Sequence, residues 1–449
     1  MSSTQSNPGL APSPLHHDDA PSASDHDVTP GDIAIGVVIG RISEFFDFFV
    51  FGIACVLVFP AVFFPFATPL VGTFYAFAVF ALAFVSRPLG SLFFKLLHAH
   101  YGRATKLTVA LFLLGTTTAG IAFVPSYASI GSFAILLLVL FRFGQGFAIG
   151  GSWDGMSSLL ALSAPSGRRG WYAMIPQLGA PIGFIVAAAL FAYLQMSLSP
   201  AEFLQWGWRY PFYVAFAINV VAMFARLRLV IAPEFATLMK SRELDPSPVM
   251  ELVRKQGRNI ALGAFAPLGS YALFHLVTIF ALSWALLFTK QSTVDFLLVQ
   301  IVGAAVAVPC MIFSGMIADR IGRRMTLAIF AVLIAVYSGW TPVLLSGGTS
   351  DGYAFIILGF ALLGFSHAQA AGAVNSSFRS YFRYTGALIT SDLGWLLGAA
   401  FAPLVALALA YYFGVGYVGL YLLSGAFGTL GALWVSRADV RDAQGSAST

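Results

Sequence analysis

The chain has 449 residues, 58% of them hydrophobic and 10% charged, against about 25% charged in a soluble domain. So much apolar surface has no soluble core to enter, which excludes a water-soluble enzyme, a disordered chain and a disulfide-held scaffold. The net charge of +5 gathers in short loops, where it speaks of membrane orientation rather than of nucleic acid.

Residues 1–32 are rich in Ser, Pro, Asp and His without periodicity and are expected to form a disordered tail. No signal peptide is expected, because the first apolar run starts near Ile33 and carries charges. Twelve apolar runs of ~20 or more residues follow, each long enough to cross a bilayer as a helix. They are continuous, whereas barrel strands are short and alternating. The first run places Arg41, Glu44 and Asp47 on one helix face at three-residue spacing, approaching the bilayer midplane. Two carboxyls so close are expected to repel, so that one can trade a proton as solvent access changes. Asp47 is the first candidate and Glu44 the second; the bland alternative is an ion ladder with Arg41. Arg87 of the second run lies nearer the loop end and suits a gate. The following loop reads Lys95-Leu-Leu-His98-Ala99-His100-Tyr101-Gly102-Arg103.

Arg142 falls near the middle of the fourth run. A guanidinium there can grip a substrate carboxylate bidentately, or pair with Asp47 or Glu44 to close an empty site. Asp154, nearer the loop, is a further gate candidate. Gln145 in the fourth run, Gln177 in the fifth, and Gln369 and Asn375 in the tenth are uncharged cavity candidates. Tyr271 and His275 of the seventh run join them. His275, like His367 in the tenth, either packs through a hydrogen bond or relays protons. In the eleventh run Asp392 can pair with Arg383 or Arg379 as a clamp, or line the cavity.

Residues 232–257 form the one long polar interruption, read as a central loop between halves at 33–231 and 258–436, with a tail at 437–449. With the N-terminus inside, nineteen of the 24 Lys and Arg fall on the cytoplasmic side, so both termini are expected there. Gly-Arg recurs at 102–103 and 322–323, after the second and eighth runs. Such echoes mark two repeated halves, the build of secondary transporters with a site at the interface. No Walker A motif appears, and no nucleophile–base or metal-ligand cluster. The expectation is therefore no enzyme, no metal and no cofactor, with a proton gradient as energy source.

Gly315-Met-Ile-Ala-Asp319-Arg320-Ile-Gly322-Arg323-Arg324 resembles the loop signature of the major facilitator superfamily. Further marks resemble its metabolite–proton symporter family: Glu44-Phe-Phe-Asp47-Phe-Phe-Val-Phe-Gly52, Arg87-Pro-Leu-Gly90, Arg142-Phe-Gly-Gln145-Gly146, Gln177-Leu-Gly179-Ala-Pro181, and Arg383-Tyr-Thr-Gly386. The resemblance implies an all-α polytopic membrane protein, the major facilitator fold of twelve helices in two six-helix halves. It implies proton-coupled uptake of a small organic acid by alternating access across a bacterial-type inner membrane. Asp319, Arg320, Arg323 and Arg324 are then expected to form ion pairs that hold the cytoplasmic side shut, helped by Arg103. The chain departs from the family in its first half, where Ala99 and His100 replace an Asp-Arg pair. Two rivals stand beside the acid symporter: a carrier of a zwitterion such as proline or betaine, and a non-transporting sensor. The expected partners are a small-molecule substrate, protons and the lipid bilayer, with the protein a monomer.

Overall fold

The computed structural model describes residues 30–152, 155–231, 233–241, 244–289, 291–371 and 378–445. Every regular element among them is helical. The twelve apolar runs become twelve spanning helices. In the first half α1 is Pro30–Leu57; α2 and α3 are the parts 69–101 and 103–123 of Pro69–Phe123; α4 is Ser132–Gly151, α5 Arg169–Ser197 and α6 Tyr210–Ile231. In the second half α7 is Val249–Phe288, α8 Thr293–Ile321, α9 Arg323–Ser346, α10 Thr349–Ala370, α11 Ser380–Tyr412 and α12 Gly416–Gly445. An even number of crossings brings α1 and α12 to begin and end on one side, called here the terminal face.

The repeat seen in the sequence is a repeat of backbone. Gly102 and Gly322 have φ of 81° and 88°, each just before an arginine that starts the next helix. A Cβ disfavours that left-handed region, so glycine marks the same turn in both halves. Helices α2 and α4 touch backbone to backbone. A Cβ on Gly146 would stand 2.0 Å from the Ala83 carbonyl oxygen, and one on Gly150 2.2 Å from that of Arg87. The second half repeats this between α8 and α10, where a Cβ on Gly364 would lie 2.5 Å from the Ala307 carbonyl oxygen. In lipid, where hydrophobicity does not drive helices together, such small-residue seams allow close packing.

The interval 232–257 is not an open loop. It holds the helix Pro233–Ser241 and the first turns of α7. Its charges hide an apolar stripe: Phe235 and Met239, four residues apart, are buried with Leu244 against Leu107, Leu111 and Met156. The backbone of α12 likewise continues through the expected tail to Gly445, because nothing between Ser436 and Gly445 breaks a helix.

Aromatic rings join the halves on the side away from the terminal face. Phe49 stacks on Phe274 at 5.4 Å, and Phe184 meets both Phe49 at 4.8 Å and Phe360 at 5.5 Å. These contacts seal one end of the seam between the halves.

Candidate functional site

Asp47 is buried, 2% exposed, on α1. Its Oδ1 accepts a hydrogen bond from the Thr118 hydroxyl on α3 at 2.8 Å and from Gln145 Nε2 on α4 at 3.4 Å. Gln145 also donates to Thr118 at 2.8 Å and accepts from Arg142 Nη1 at 3.1 Å. Arg142 donates from Nε and Nη2 to the Phe80 carbonyl at 3.3 and 3.2 Å, and lies 4.0 Å over the Phe51 ring. The cation therefore reaches Asp47 through an amide rather than by a direct ion pair. Arg142 and Gln145 face the interior of the first half.

Glu44 holds a different set of partners. Arg41 on α1 and Arg226 on α6 grip its two oxygens at 2.8 and 3.0 Å, and the Ser152 hydroxyl adds a bond at 3.1 Å. Arg226 also donates to the Ser152 carbonyl. The expected crowding of Glu44 against Asp47 is thus replaced by two separately satisfied carboxyls. The three-residue spacing alone does not reveal this, because the partners come from α3, α4 and α6. Arg226 and Thr118 are absent from the sequence-based set. The charge pattern assigns Arg226 to a loop flank, and Thr118 hides in an apolar run; the triplet Thr116–Thr118 is its one signal.

A cavity of about 1380 Å³ opens on the terminal face, between the halves. Arg41, Gln177, Tyr271 and Trp395 line its inner end. Tyr271 and Trp395 stack at 4.2 Å and form the end wall. Toward the mouth stand Arg169, Arg323, Arg324 and Arg383, with Asp319 as the acid among them. His275 and His367 are buried behind the end wall, His367 with its ring 5.9 Å from that of Tyr271. Among the described residues no group of three or more His, Cys, Asp or Glu is placed to hold a metal ion.

The gate residues do meet across the halves, though not as expected. Asp319 forms no ion pair with the neighbouring arginines. Its Oδ1 accepts from the Gly170 and Trp171 amides at 2.7 and 3.2 Å, capping the first turn of α5. A carboxylate there meets the positive end of the helix dipole and free N–H groups, which attract it as strongly as a flexible side chain would. Arg323 donates to Gln369 at 3.1 Å, and Gln369 in turn to the Gly170 carbonyl at 3.2 Å. Gln369 is therefore part of the closure rather than a free cavity ligand. Arg324 donates to the Leu433 and Ser436 carbonyls of α12, and Arg320 is exposed.

Asp392 pairs neither with Arg383 nor with Arg379. It binds Arg87 Nε of the other half at 2.6 Å and accepts from the Ser91 hydroxyl at 2.5 Å. Asp392 lies about three turns inside α11, beside Arg87 and Ser91 of α2, while Arg379 and Arg383 stay at the start of that helix. In the altered first-half loop Ala99 and His100 are exposed. Arg103, the surviving basic residue of that motif, finds its acid in the central interval: Asp245 at 3.5 Å, with the Leu244 carbonyl at 3.2 Å. The same segment is held to α11 by the Ser247 amide donating to Thr385 Oγ1 at 2.8 Å. Asp154 and Asn375 lie outside the described residues.

A profile of the family described as sugar (and other) transporter matches residues 33–257. An inner membrane metabolite transport protein of Escherichia coli K12 is 36% identical over 410 residues, which is 89% of this chain and 92% of the relative. A shikimate transporter of the same organism is 30% identical, over 87% and 91% of the two chains. Among solved structures, a D-xylose–proton symporter is similar with a TM-score of 0.69 at 16% identity, over 90% of this chain and 96% of that one. That last likeness is one of fold.

Proposed function

Since this chain belongs to the sugar (and other) transporter family, and so moves metabolites across a membrane on the twelve-helix major facilitator fold, we propose that it carries a small organic anion together with a proton by alternating access. The terminal face is cytoplasmic in this reading, on the Lys and Arg bias, and transport runs inward across an inner membrane. Asp47 carries the proposal. A charge at the bilayer centre costs about 2.5–3.5 kcal/mol on insertion scales, yet Asp47 is bonded to neutral donors and, among the described residues, has no cation in direct contact. Both bonds reach Oδ1, so that oxygen can still accept them, more weakly, when Oδ2 carries a proton. The site thus keeps its geometry through a proton cycle. Arg142, tied to Asp47 through Gln145, senses that cycle without closing on the carboxyl. The arginines of the cavity favour an anionic cargo, with Arg41 and Gln177 at its inner end.

Net flux in proteoliposomes tests this. Asp47→Asn should abolish accumulation driven by a proton gradient while leaving exchange of preloaded substrate, because the amide mimics the protonated carboxyl. An Asp47→Asn protein that still concentrates substrate moves the coupling elsewhere, with Glu44 next. A wild-type protein that binds ligand without net flux is a sensor. Competition by glycine betaine alone is the mark of the zwitterion carrier.

A further inference from the structure

Two imidazoles behind the cavity's end wall take no part in the coupling described above. His275 and His367 are fully buried, and none of their four ring nitrogens has a hydrogen-bond partner among the described residues. Both rings sit 5.3 Å from the Phe274 ring, and 6.5 and 6.2 Å from that of Trp395. Further neighbours come from the opposite half: Phe48 at 5.6 Å for His275, and Phe45 at 6.3 Å for His367. The pair therefore stands on the seam that alternating access must part. Buried polar groups in native interiors are nearly always bonded, so two unbonded imidazoles packed on one phenylalanine call for an explanation. The backbone supplies a second mark. Directly after His275, α7 widens into a π turn at Leu276–Phe280, and Gln300 of α8 donates at 2.7 Å to the Val277 and Thr278 carbonyls. Such turns concentrate at functional sites, and interrupted helices form the substrate sites of transporters.

The geometry points to a hydroxyl-recognition subsite made by His275 and His367, completing an anion site that begins at Arg41. This rests on the anion reading given above and narrows its cargo to a hydroxy acid. A neutral imidazole offers one donor and one acceptor. A hydroxyl both donates and accepts, so it answers either nitrogen. A carboxylate only accepts, an ammonium only donates, and a quaternary ammonium does neither. Two imidazoles are matched by two hydroxyls of one small ring or chain, whose apolar faces lie against Phe274 and Trp395. The carboxylate points toward Arg41. In the present conformation the Tyr271–Trp395 stack stands between the cavity and the pair, and cargo reaches the imidazoles when that stack opens.

The test titrates purified full-length protein with matched probes: gluconate against hexanoate, quinate against cyclohexanecarboxylate, with xylitol and glycine betaine as the uncharged and zwitterionic controls. Binding is read by calorimetry and by thermal unfolding. The hydroxylated acids should bind at least tenfold tighter than their deoxy partners. His275→Phe and His367→Phe should each erase that preference and leave the weak affinity for the deoxy acids. Phenylalanine keeps the ring packing and removes the unbonded nitrogens, so the unliganded variants should unfold at the same temperature or higher. Unliganded variants that unfold well below wild type would overturn the inference, since the nitrogens would then be satisfied. Equal affinity for hydroxylated and deoxy acids would also overturn it while leaving the anion reading intact. Binding of betaine or xylitol but of no carboxylate would overturn both, as would silence from every probe at millimolar concentration.

Discussion

Arg142 divides its donors between the Phe80 carbonyl and Gln145 and lays its plane on Phe51. A lysine offers a point charge with no fork and no planar face. Arg142→Lys should therefore lose transport nearly as fully as Arg142→Ala, and destabilise the fold by roughly 1–3 kcal/mol through the charge-assisted hydrogen bonds lost to Phe80 and Gln145. Flux together with thermal unfolding checks it; full activity in the lysine variant would reduce Arg142 to a counter-charge. Asp319 behaves differently because it caps a helix. An asparagine keeps an oxygen for the Gly170 and Trp171 amides and forfeits only the charge–dipole share, about 0.3–1 kcal/mol. Asp319→Asn should leave labelling of cysteines placed around the terminal face close to wild type, whereas Asp319→Ala should raise it several-fold. Equal labelling of the two variants would mean that charge, not capping, holds Asp319 to the start of α5. Asp47, Glu44 and Arg142 were legible in the sequence because a charge in an apolar run demands a reason. Of their partners, Arg41 and Gln145 were legible too, but two were not. Thr118 looks like part of an apolar run, and Arg226 sits where a span ends, so both needed the fold to assemble them.

At the scale of helices, the seam between α2 and α4 leaves no room for a side chain at Gly146. Gly146→Val should abolish folded yield, because the clash is with the Ala83 carbonyl and not with a flexible side chain that can swing away. Detergent-solubilised protein eluting as a monodisperse peak after this change would show that the seam can open. Helix existence was readable from apolar run length alone, and the turns at Gly102 and Gly322 from the Gly-Arg repeat. The helix at Pro233–Ser241 escaped because its charges lower the mean hydropathy, while the signal is the i, i+4 spacing of Phe235 and Met239. The acid for Arg103 escaped for a related reason. The first-half signature lacks its Asp, and the replacement, Asp245, arrives from the connecting segment rather than from the motif.

For the whole molecule, the Arg87–Asp392 pair joins the halves at 2.6 Å with little solvent around it. Breaking a buried pair by removing one charge strands the other, at a cost of about 3–5 kcal/mol. Asp392→Asn should accordingly shift the balance of conformations, seen as a wider distribution of distances between spin labels on α2 and α11. Replacing both residues together, as Arg87→Met with Asp392→Leu, should restore a narrow distribution locked in one state. An unchanged distribution in the single variant would make the pair incidental to the rocking of the halves. The two-half architecture could be read from the sequence, but not this contact. Partners in different halves leave no spacing to detect, and Arg379 and Arg383 are nearer to Asp392 along the chain.

The aromatic layer that stacks Phe49 on Phe274 and Phe184 on Phe360 has an electrical meaning. With the cavity open to solution on the terminal side, the membrane voltage does not fall evenly over the bilayer. It falls mostly across this thin insulating septum, where a full elementary charge meets about 2.3 kcal/mol per 100 mV in one short step. Asp47 lies on α1 two residues from Phe49 of that septum, at the steep part of the field. In the proposed symport a monovalent anion crossing with one proton would carry no net charge through the layer, so the voltage would neither drive nor oppose that step, and the chemical gradient of protons would do the driving.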